Sequence, residues 1–172
     1  MPRSRATLLL FIALALAGTG CSHLTGRHRA IGSPGAATIV RVVDGDTVVL
    51  QIGRVTEHAR LIGIDTPETV KPNTPVQCFG PEASARTKAL LPPGTPVVVQ
   101  RDAEARDRYG RLLIYLWRRK DGLFVNASLV TDGYARTLSI SPNTAHRADL
   151  ATDAAKADAS DIGLWGACAA TR

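Results

Sequence analysis

The chain has 172 residues, of which 45% are hydrophobic and 21% are charged, and its formal net charge is +6. This composition is typical of a single packed domain and excludes a largely disordered protein. Net charge alone does not identify a polyanion partner, because four basic residues precede residue 30 and only 17 basic residues then face 15 acidic ones.

The N-terminus has the features of an export signal. Arg3 and Arg5 precede an uninterrupted run of apolar or small residues, 6–20. This run is too short for a comfortable membrane span. The pattern predicts a signal peptide over residues 1–21 and an exported protein.

The residues after this run resemble a bacterial lipobox, in which small residues precede a cysteine that is lipidated and becomes the mature N-terminus. Cys21 occupies that position, although Gly18 stands where the motif prefers leucine. The resemblance implies a lipoprotein of the cell envelope, held to the membrane through Cys21. Cleavage after Ala17 or Gly20 without lipidation is the alternative, and it would give a periplasmic or secreted protein.

Residues 22–37 contain glycine, serine, histidine and proline with almost no apolar periodicity. This composition predicts a flexible tether. The folded domain is therefore expected over residues 38–168, followed by a short tail at 169–172.

Three β-branched runs open the domain. The first two, 38–43 and 46–52, are separated by an Asp-Gly pair, which is a strong hairpin signal. The third, 57–64, completes a meander and stops before Pro67, because proline restricts the residue that precedes it.

The middle of the chain changes period. An alanine-rich segment, 81–91, predicts a short helix that ends at a Pro-Pro-Gly sequence. Two further β-rich runs, 95–101 and 111–118, predict strands, and the charged segment 102–110 between them is expected to be a loop. An Asp-Gly pair at 121–122 predicts another tight turn.

The remaining chain predicts two helices, at 125–132 and at 143–161, the second with a weak apolar stripe and a structural role. Five strands with a helix after the third, followed by two helices, is the order of an OB-type barrel with helical additions. The expected fold class is α+β: a five-stranded OB-fold β-barrel with about three helices.

Asp46 is the first candidate for chemistry. It falls on the same face of the second predicted strand as Val48 and Leu50, which would be the barrel interior. A carboxylate in that place requires a cation. The alternative is that Asp44 and Asp46 only stabilise the Asp-Gly turn. Asp44 is expected either to do no more than this or to support the site without contacting the cation.

Two further carboxylates, Asp65 and Glu68, flank Thr66-Pro67 at the end of the third predicted strand. Together with Asp46 they form a set of oxygen ligands without histidine or cysteine, which favours Ca²⁺ or Mg²⁺ over zinc or copper. A capped loop before a helix is the alternative explanation of this segment.

Arg60 and Arg111 are candidate phosphate clamps, since each lies near a strand end where the mouth of a barrel would be. Tyr109 offers a ring that could stack on a base or sugar. A surface arginine packed over the barrel is the alternative explanation for Arg60 considered by itself. Carboxylates and guanidinium groups in this combination suit metal-assisted attack on a phosphodiester.

The chain has three cysteines. If Cys21 carries lipid, a bridge between Cys78 and Cys168 would tie the segment after Glu68 to the C-terminal tail. Closing so long a loop is worth about 4–5 kcal/mol in the chain-entropy model. Two free thiols are the alternative, which an oxidising compartment disfavours.

These residues resemble the staphylococcal nuclease (thermonuclease) family. The likeness runs from about Ile39 to Trp165 and so covers nearly the whole predicted domain. Its motifs are, in chain order, 43–48, 60–68, 107–111, 125–126 with 133–135, and 163–165.

The resemblance implies a five-stranded OB barrel with three helices and Ca²⁺-dependent hydrolysis of DNA and RNA. Matched by position, Asp46 and Asp65 would be direct Ca²⁺ ligands, and Thr66 would contribute its backbone carbonyl. Glu68 would be the general base for the attacking water, or would only orient that water.

The resemblance also implies roles for the basic residues. Arg60 and Arg111 would neutralise the phosphate, with bonds that strengthen as the transition state gains charge. Arg108 and Tyr109 match the loop beside the nucleotide and would contact the substrate. The protein is expected to act as a monomer.

The chain departs from the family at one place. The family's best-known members carry tyrosines before a Pro-Asn segment, where this chain has Leu138 and Ile140. Nucleotide stacking on that side of the site is therefore not expected, and altered affinity or base preference should result.

Two other classes of protein share parts of this pattern. A non-catalytic nucleic-acid-binding OB module tethered to the cell envelope would keep the fold but lose the catalytic residues. A structural envelope lipoprotein would need only the signal and the tether. Retention of both arginines together with Asp46, Asp65 and Glu68 favours the enzyme.

Overall fold

The computed structural model of the protein describes Met1, residues 35–69 and residues 74–168. Cys21 and, apart from Met1, the predicted signal peptide lie outside the described residues, as do most of the predicted tether and the tail. No helix among the described residues is long and apolar enough to cross a membrane.

The described residues form eight strands and four helices. In chain order these are β1 (Gly35–Asp44), β2 (Thr47–Ile52), β3 (Val55–Leu61), β4 (Gly63–Asp65), α1 (Gly80–Leu90), β5 (Pro96–Arg106), β6 (Leu112–Arg118), β7 (Leu123–Phe124), α2 (Val125–Thr131), β8 (Arg136–Leu138), α3 (Arg147–Ala159) and α4 (Leu164–Ala167).

Five of the strands close into a barrel, in the order β3-β2-β1-β5-β6. All of these neighbours are antiparallel except the closing pair, in which β3 runs parallel to β6 with Leu61 opposite Ile114. The short strand β7 extends the edge at β6, and β4 pairs separately with β8. The expected five-stranded α+β barrel is confirmed.

The barrel interior is filled by aliphatic side chains from every barrel strand. Val48 and Leu50 of β2 are completely buried, as expected for residues two apart, which point to the same face of a strand. Helix α2 contributes Leu129 and helix α3 contributes Leu150 to the same core. This core fixes the positions of the strand ends that carry the charged residues.

Three predicted boundaries were wrong. Strand β1 begins at Gly35 rather than at residue 38, because Gly35 to Thr38 pair with β5. The segment 102–110, expected to be a loop, continues β5 as far as Arg106, which pairs with Leu112. The last long helix begins at Arg147 rather than at residue 143.

The third predicted strand is divided into β3 and β4 by a turn at Ile62. Gly63 makes the division possible, because its φ of +80° is unfavourable for a residue with a side chain. A Cβ atom at Gly63 would also lie 2.6 Å from Leu150 Cδ1. The division redirects the chain, so that Asp65 leaves the barrel beside the hairpin between β1 and β2.

A disulfide joins Cys78 to Cys168, with the two Cα atoms 6.0 Å apart. The bridge connects the segment before α1 to the residue that follows α4. The backbone N–H of Leu164 in α4 donates to the carbonyl of Gly133 at 2.8 Å, and the Leu164 side chain is buried. The segment before α1 is thereby tied to the folded body.

Candidate active site

One cleft brings together the residues that were predicted from the sequence to act in catalysis and metal binding. It has a volume of about 410 Å³. Its lining includes Asp46, Arg60, Asp65, Thr66, Glu68 and Arg111.

Strand pairing explains why these residues meet. Thr47, the first residue of β2, lies opposite Arg60 of β3, so Arg60 is brought beside Asp46. The carbonyl of Asp46 accepts a hydrogen bond from the backbone N–H of Leu61 at 2.8 Å. The Oδ2 atom of Asp46 accepts another from the backbone N–H of Thr66 at 3.2 Å. The turn after β1 and the end of β4 are therefore joined through one carboxylate.

Arg60 bridges two carboxylates. Its Nη1 atom lies 2.8 Å from Asp46 Oδ1, and its Nη2 atom lies 2.7 Å from Asp65 Oδ1. A guanidinium group has the fixed fork of donors that such a double contact requires. Asp46 and Asp65 are thus held close to each other by a shared counter-charge.

Asp46 is only 4% exposed. Burial raises the pKa of its carboxyl, and the Arg60 guanidinium and the Thr66 N–H bond oppose this rise without overcoming it. The negative charge of Asp65 raises that pKa further. A second positive charge at this place would stabilise the ionised form of Asp46.

The carboxylates of Asp46 and Asp65 line this cleft, and carboxylate oxygens are ligands that suit a hard dication. No group of three or more His, Cys, Asp or Glu side chains suited to metal binding occurs within residues 35–69 and 74–168. Of the residues that line the cleft, Asp46 and Asp65 could supply carboxylate oxygens to such a cation, and Thr66 could add its backbone carbonyl.

Glu68 lies three residues beyond β4, on the rim of the same cleft. Its side chain is partly buried, and its Oε1 atom accepts a hydrogen bond from the backbone N–H of Thr69 at 3.0 Å. The Thr69 hydroxyl donates to Asp44 Oδ1 at 2.6 Å. Asp44 therefore does more than serve its turn, because it connects that turn to the segment that carries Glu68.

Arg111 reaches the cleft from the loop before β6. Its Nε atom lies 2.7 Å from Asp107 Oδ2, while Asp107 Oδ1 accepts the backbone N–H groups of Tyr109 and Arg111 at 2.9 and 3.0 Å. Burial alone would raise the pKa of Asp107, but these hydrogen bonds lower it. Asp107 thus fixes both the loop and the direction of the Arg111 side chain.

A second cleft of about 410 Å³ shares Arg60 and Arg111 with the first. Arg108 and Tyr109, the residues predicted to contact substrate, line it. The Arg108 guanidinium lies 4.8 Å from the centre of the Tyr109 ring and donates to the Tyr109 hydroxyl at 2.7 Å. The two arginines shared by the clefts could therefore hold a phosphate whose attached sugar and base extend toward Tyr109.

The wall of this second cleft includes the two aliphatic side chains that stand where the family's best-known members carry tyrosines. Leu138 and Ile140 both line it, and Ile140 is 64% exposed. Neither residue supplies an aromatic ring. Among the described residues that line this cleft, Tyr109 thus supplies the aromatic ring, and weaker nucleotide stacking on the opposite side stays a prediction.

Sequence reasoning missed Gln77. This residue lines the same cleft as Glu68, and it exchanges two hydrogen bonds with the Glu68 backbone. An exposed glutamine in an irregular segment has no sequence signal that would have identified it.

Comparisons with known proteins identify the family of this chain. The family described as staphylococcal nuclease homologue matches residues 58–167. The chain is 41% identical to a thermonuclease of Staphylococcus intermedius over 127 residues, which cover 74% of each protein. It is 45% identical to a thermonuclease of Staphylococcus hyicus over 105 residues, which cover 61% of this chain and 60% of that relative.

A relative from Bacillus subtilis, the SPbeta prophage-derived endonuclease YokF, is 36% identical over 129 residues, covering 74% of this chain. The match spans 43% of that relative's length, so the chain corresponds to less than half of it. The motifs, the closed barrel and these identities agree with one another. The chain belongs to the staphylococcal nuclease family.

Proposed function

We propose that this member of a nuclease family is a Ca²⁺-dependent endonuclease that hydrolyses phosphodiester bonds of DNA and RNA with little sequence preference. The observation that carries the proposal is that one cleft is lined by Asp46, Arg60, Asp65, Thr66, Glu68 and Arg111. The relatives named thermonuclease or endonuclease support the class of reaction.

The side chains divide the work of hydrolysis. Arg60 and Arg111 hold the phosphate oxygens and stabilise the negative charge that grows on them in the transition state. Glu68 accepts a proton from the attacking water, and a bond forms between that water oxygen and phosphorus. The bond from phosphorus to the leaving sugar oxygen breaks, and this oxygen takes a proton from solvent. Asp46, Asp65 and the Thr66 carbonyl would hold Ca²⁺, which would supply positive charge to polarise the water and the phosphate.

The observed ion pairs of Arg60 bear on this division. Arg60 is bonded to Asp46 and Asp65 at 2.8 and 2.7 Å, so it cannot give its full charge to a phosphate while it serves both carboxylates. A cation bound by the two aspartates would offset their charge and so weaken their attraction for the guanidinium. The same residues can therefore exchange partners during substrate binding.

A digestion assay tests the proposal. The full chain, purified in mild detergent, should degrade single-stranded DNA and RNA when Ca²⁺ is present and stop when Ca²⁺ is chelated. Glu68→Gln and Arg111→Ala should each lower turnover by roughly 10²-fold or more. The matched controls Glu82→Gln and Arg54→Ala alter exposed residues outside the cleft and should cleave like wild type. Binding of DNA without cleavage at any metal concentration would support the non-catalytic module instead.

Calcium binding can be measured without catalysis. A ligand that binds only the folded state at 100 times its Kd stabilises that state by about 2.7 kcal/mol. Urea unfolding with and without Ca²⁺ should show a gain of this order for wild type, and little gain for Asp46→Asn. An equal gain in both proteins would place the cation elsewhere.

We also propose that the protein is exported and is anchored to the membrane through lipidated Cys21, with a periplasmic or secreted form if lipidation does not occur. We expect the protein to be a monomer, which sedimentation would test. Cys21→Ala followed by membrane fractionation tests the anchor, and unchanged membrane association would reject lipidation.

A further inference from the structure

Gln77 forms hydrogen bonds with both backbone polar groups of Glu68. The Glu68 N–H donates to the side-chain Oε1 of Gln77 at 2.9 Å, and the Gln77 N–H donates to the Glu68 carbonyl at 3.0 Å. Both backbone polar groups of Glu68 therefore have Gln77 as their partner. Such a reciprocal pair fixes the distance and the relative direction of the two segments more closely than a single hydrogen bond does.

Neighbouring contacts limit the freedom of the same segment. A Cβ atom on Gly80, at the start of α1, would lie 3.0 Å from the Glu68 carbonyl oxygen, so the helix begins in close contact with this backbone. On the other side, Thr69 bonds to Asp44 at 2.6 Å. Glu68 therefore lies between a turn of the barrel and the segment before α1.

Gln77 is itself exposed, and the covalent chain determines where it lies. The next residue, Cys78, forms the disulfide with Cys168. Cys168 is buried and follows α4 directly. The Phe79 ring also packs against Tyr134, with the ring centres 5.4 Å apart. The bridge and this aromatic contact together hold Gln77 against the folded body of the protein.

We propose that Gln77 is a positioning residue for Glu68 and that the Cys78–Cys168 bridge acts on the reaction by keeping Gln77 in place. This inference rests on the proposed role of Glu68 as the group that accepts the proton from water. Proton transfer requires the carboxylate to lie within hydrogen-bonding distance of that water. Loss of either the amide or the bridge therefore lowers turnover and leaves substrate binding by the arginines largely unchanged.

The test combines three variants of the full chain in mild detergent, assayed on single-stranded DNA at saturating Ca²⁺. In Gln77→Ala, kcat should fall by about tenfold while KM changes by less than about twofold, because the change misplaces a proton acceptor and removes no phosphate contact. Cys78→Ser with Cys168→Ser should give a similar fall. All three changes together should lower kcat little further, because both act through one contact.

Gln51→Ala is the matched control. Gln51 is a partly exposed glutamine that also makes two hydrogen bonds, to the Gly53 carbonyl at 3.0 Å and from the Thr56 hydroxyl at 2.9 Å. It lies outside the cleft of Glu68, so its loss should leave kcat unchanged. Assays at a temperature where circular dichroism shows every protein folded separate lost positioning from lost stability.

Hydrogen exchange of the Glu68 amide provides a second measurement that does not depend on activity. This exchange should be faster in Gln77→Ala than in wild type. A kcat for Gln77→Ala within twofold of wild type, or losses that multiply in the triple variant, would overturn the inference. Wild-type protein that cleaves no nucleic acid would instead overturn the proposed function, and unchanged amide exchange would show that Gln77 does not hold Glu68.

Discussion

Replacing Gly45 with alanine should damage both the fold and the site, because Gly45 lies directly against Thr66. A Cβ atom on Gly45 would be 2.5 Å from Thr66 Oγ1, 2.7 Å from its Cβ and 2.8 Å from its Cγ2. These distances are well below van der Waals contact. Either the turn between β1 and β2 or the segment after β4 must move.

The size of the effect follows from two opposing contributions. Overpacking a tight contact costs about 1–3 kcal/mol, and the reduced freedom of the unfolded chain returns about 0.4–1 kcal/mol when alanine replaces glycine. We expect Gly45→Ala to lower the free energy of unfolding by about 1–2 kcal/mol. For a domain of this size the Tm should fall by about 2–8 °C.

The same displacement should also lower the rate of cleavage. The Thr66 N–H is bonded to Asp46 Oδ2 at 3.2 Å, so moving Thr66 moves a proposed carbonyl ligand relative to Asp46. A misplacement of about 1 Å at a reacting centre can cost 10²-fold in rate. Cleavage of single-stranded DNA by Gly45→Ala should therefore fall at least about tenfold.

The control is Gly35→Ala, at the first residue of β1. A Cβ atom there would have its closest contact with Val99 Cγ2 at 3.9 Å, which is ordinary packing. Urea denaturation should give this variant wild-type stability or slightly more. Thr66→Ala should recover part of the loss in Gly45→Ala, since it removes two of the three close contacts. Wild-type stability and cleavage in Gly45→Ala alone would refute the argument that the turn and Thr66 are rigidly packed.

Three further outcomes can be measured. Asn126 is completely buried and bonds the Ile62 carbonyl at 2.9 Å and the Leu116 N–H at 3.0 Å; Asn126→Ala should cost about 2–5 kcal/mol in urea denaturation, and a loss below about 1 kcal/mol would contradict the pairing. The pKa of Asp107 is lowered in the folded protein. Asp107 therefore contributes stability that is present above its unfolded-state pKa and is lost as the pH falls through the folded value. The difference in unfolding free energy between wild type and Asp107→Asn should disappear in acid, and a difference that stays constant with pH would contradict this. Ile140→Tyr should lower KM for oligonucleotides, because a stacked base is worth about 1–3 kcal/mol, whereas Val55→Tyr, at a similarly exposed position outside that cleft, should not.

The barrel and the central residues of the site could be predicted because local signals and motifs agreed. The β-branched runs around Asp44-Gly45 predict the hairpin, and β1 and β2 form it. Asp46 and Arg60 then meet because strand pairing places Thr47 opposite Arg60. A short-range pattern was sufficient here, since the two strands are consecutive in the chain.

The errors lie where distant partners decide the structure. The segment 102–110 looks like a loop because its residues are charged, yet β5 extends to Arg106. The Arg106 guanidinium forms two hydrogen bonds to Glu57 of β3, at 3.0 and 2.7 Å. The last long helix begins later than the predicted residue 143, because the Asn143 side chain is bonded to Glu104. It accepts from the Glu104 backbone N–H at 2.8 Å and donates to the Glu104 carbonyl at 3.0 Å. Neither partner is visible from local sequence.

The charges in the cleft show why the arginines alone would not suffice for the proposed reaction. Its described lining contains the carboxylates Asp44, Asp46, Asp65 and Glu68 against two guanidinium groups. Arg111 is also paired with a fifth carboxylate at 2.7 Å. A phosphodiester approaching this lining alone meets an excess of negative charge. A bound dication would offset that excess, and because Asp46 is buried its interaction with the added charge would be little screened by solvent. Metal binding and phosphate binding at this cleft should therefore be coupled, each strengthening the other.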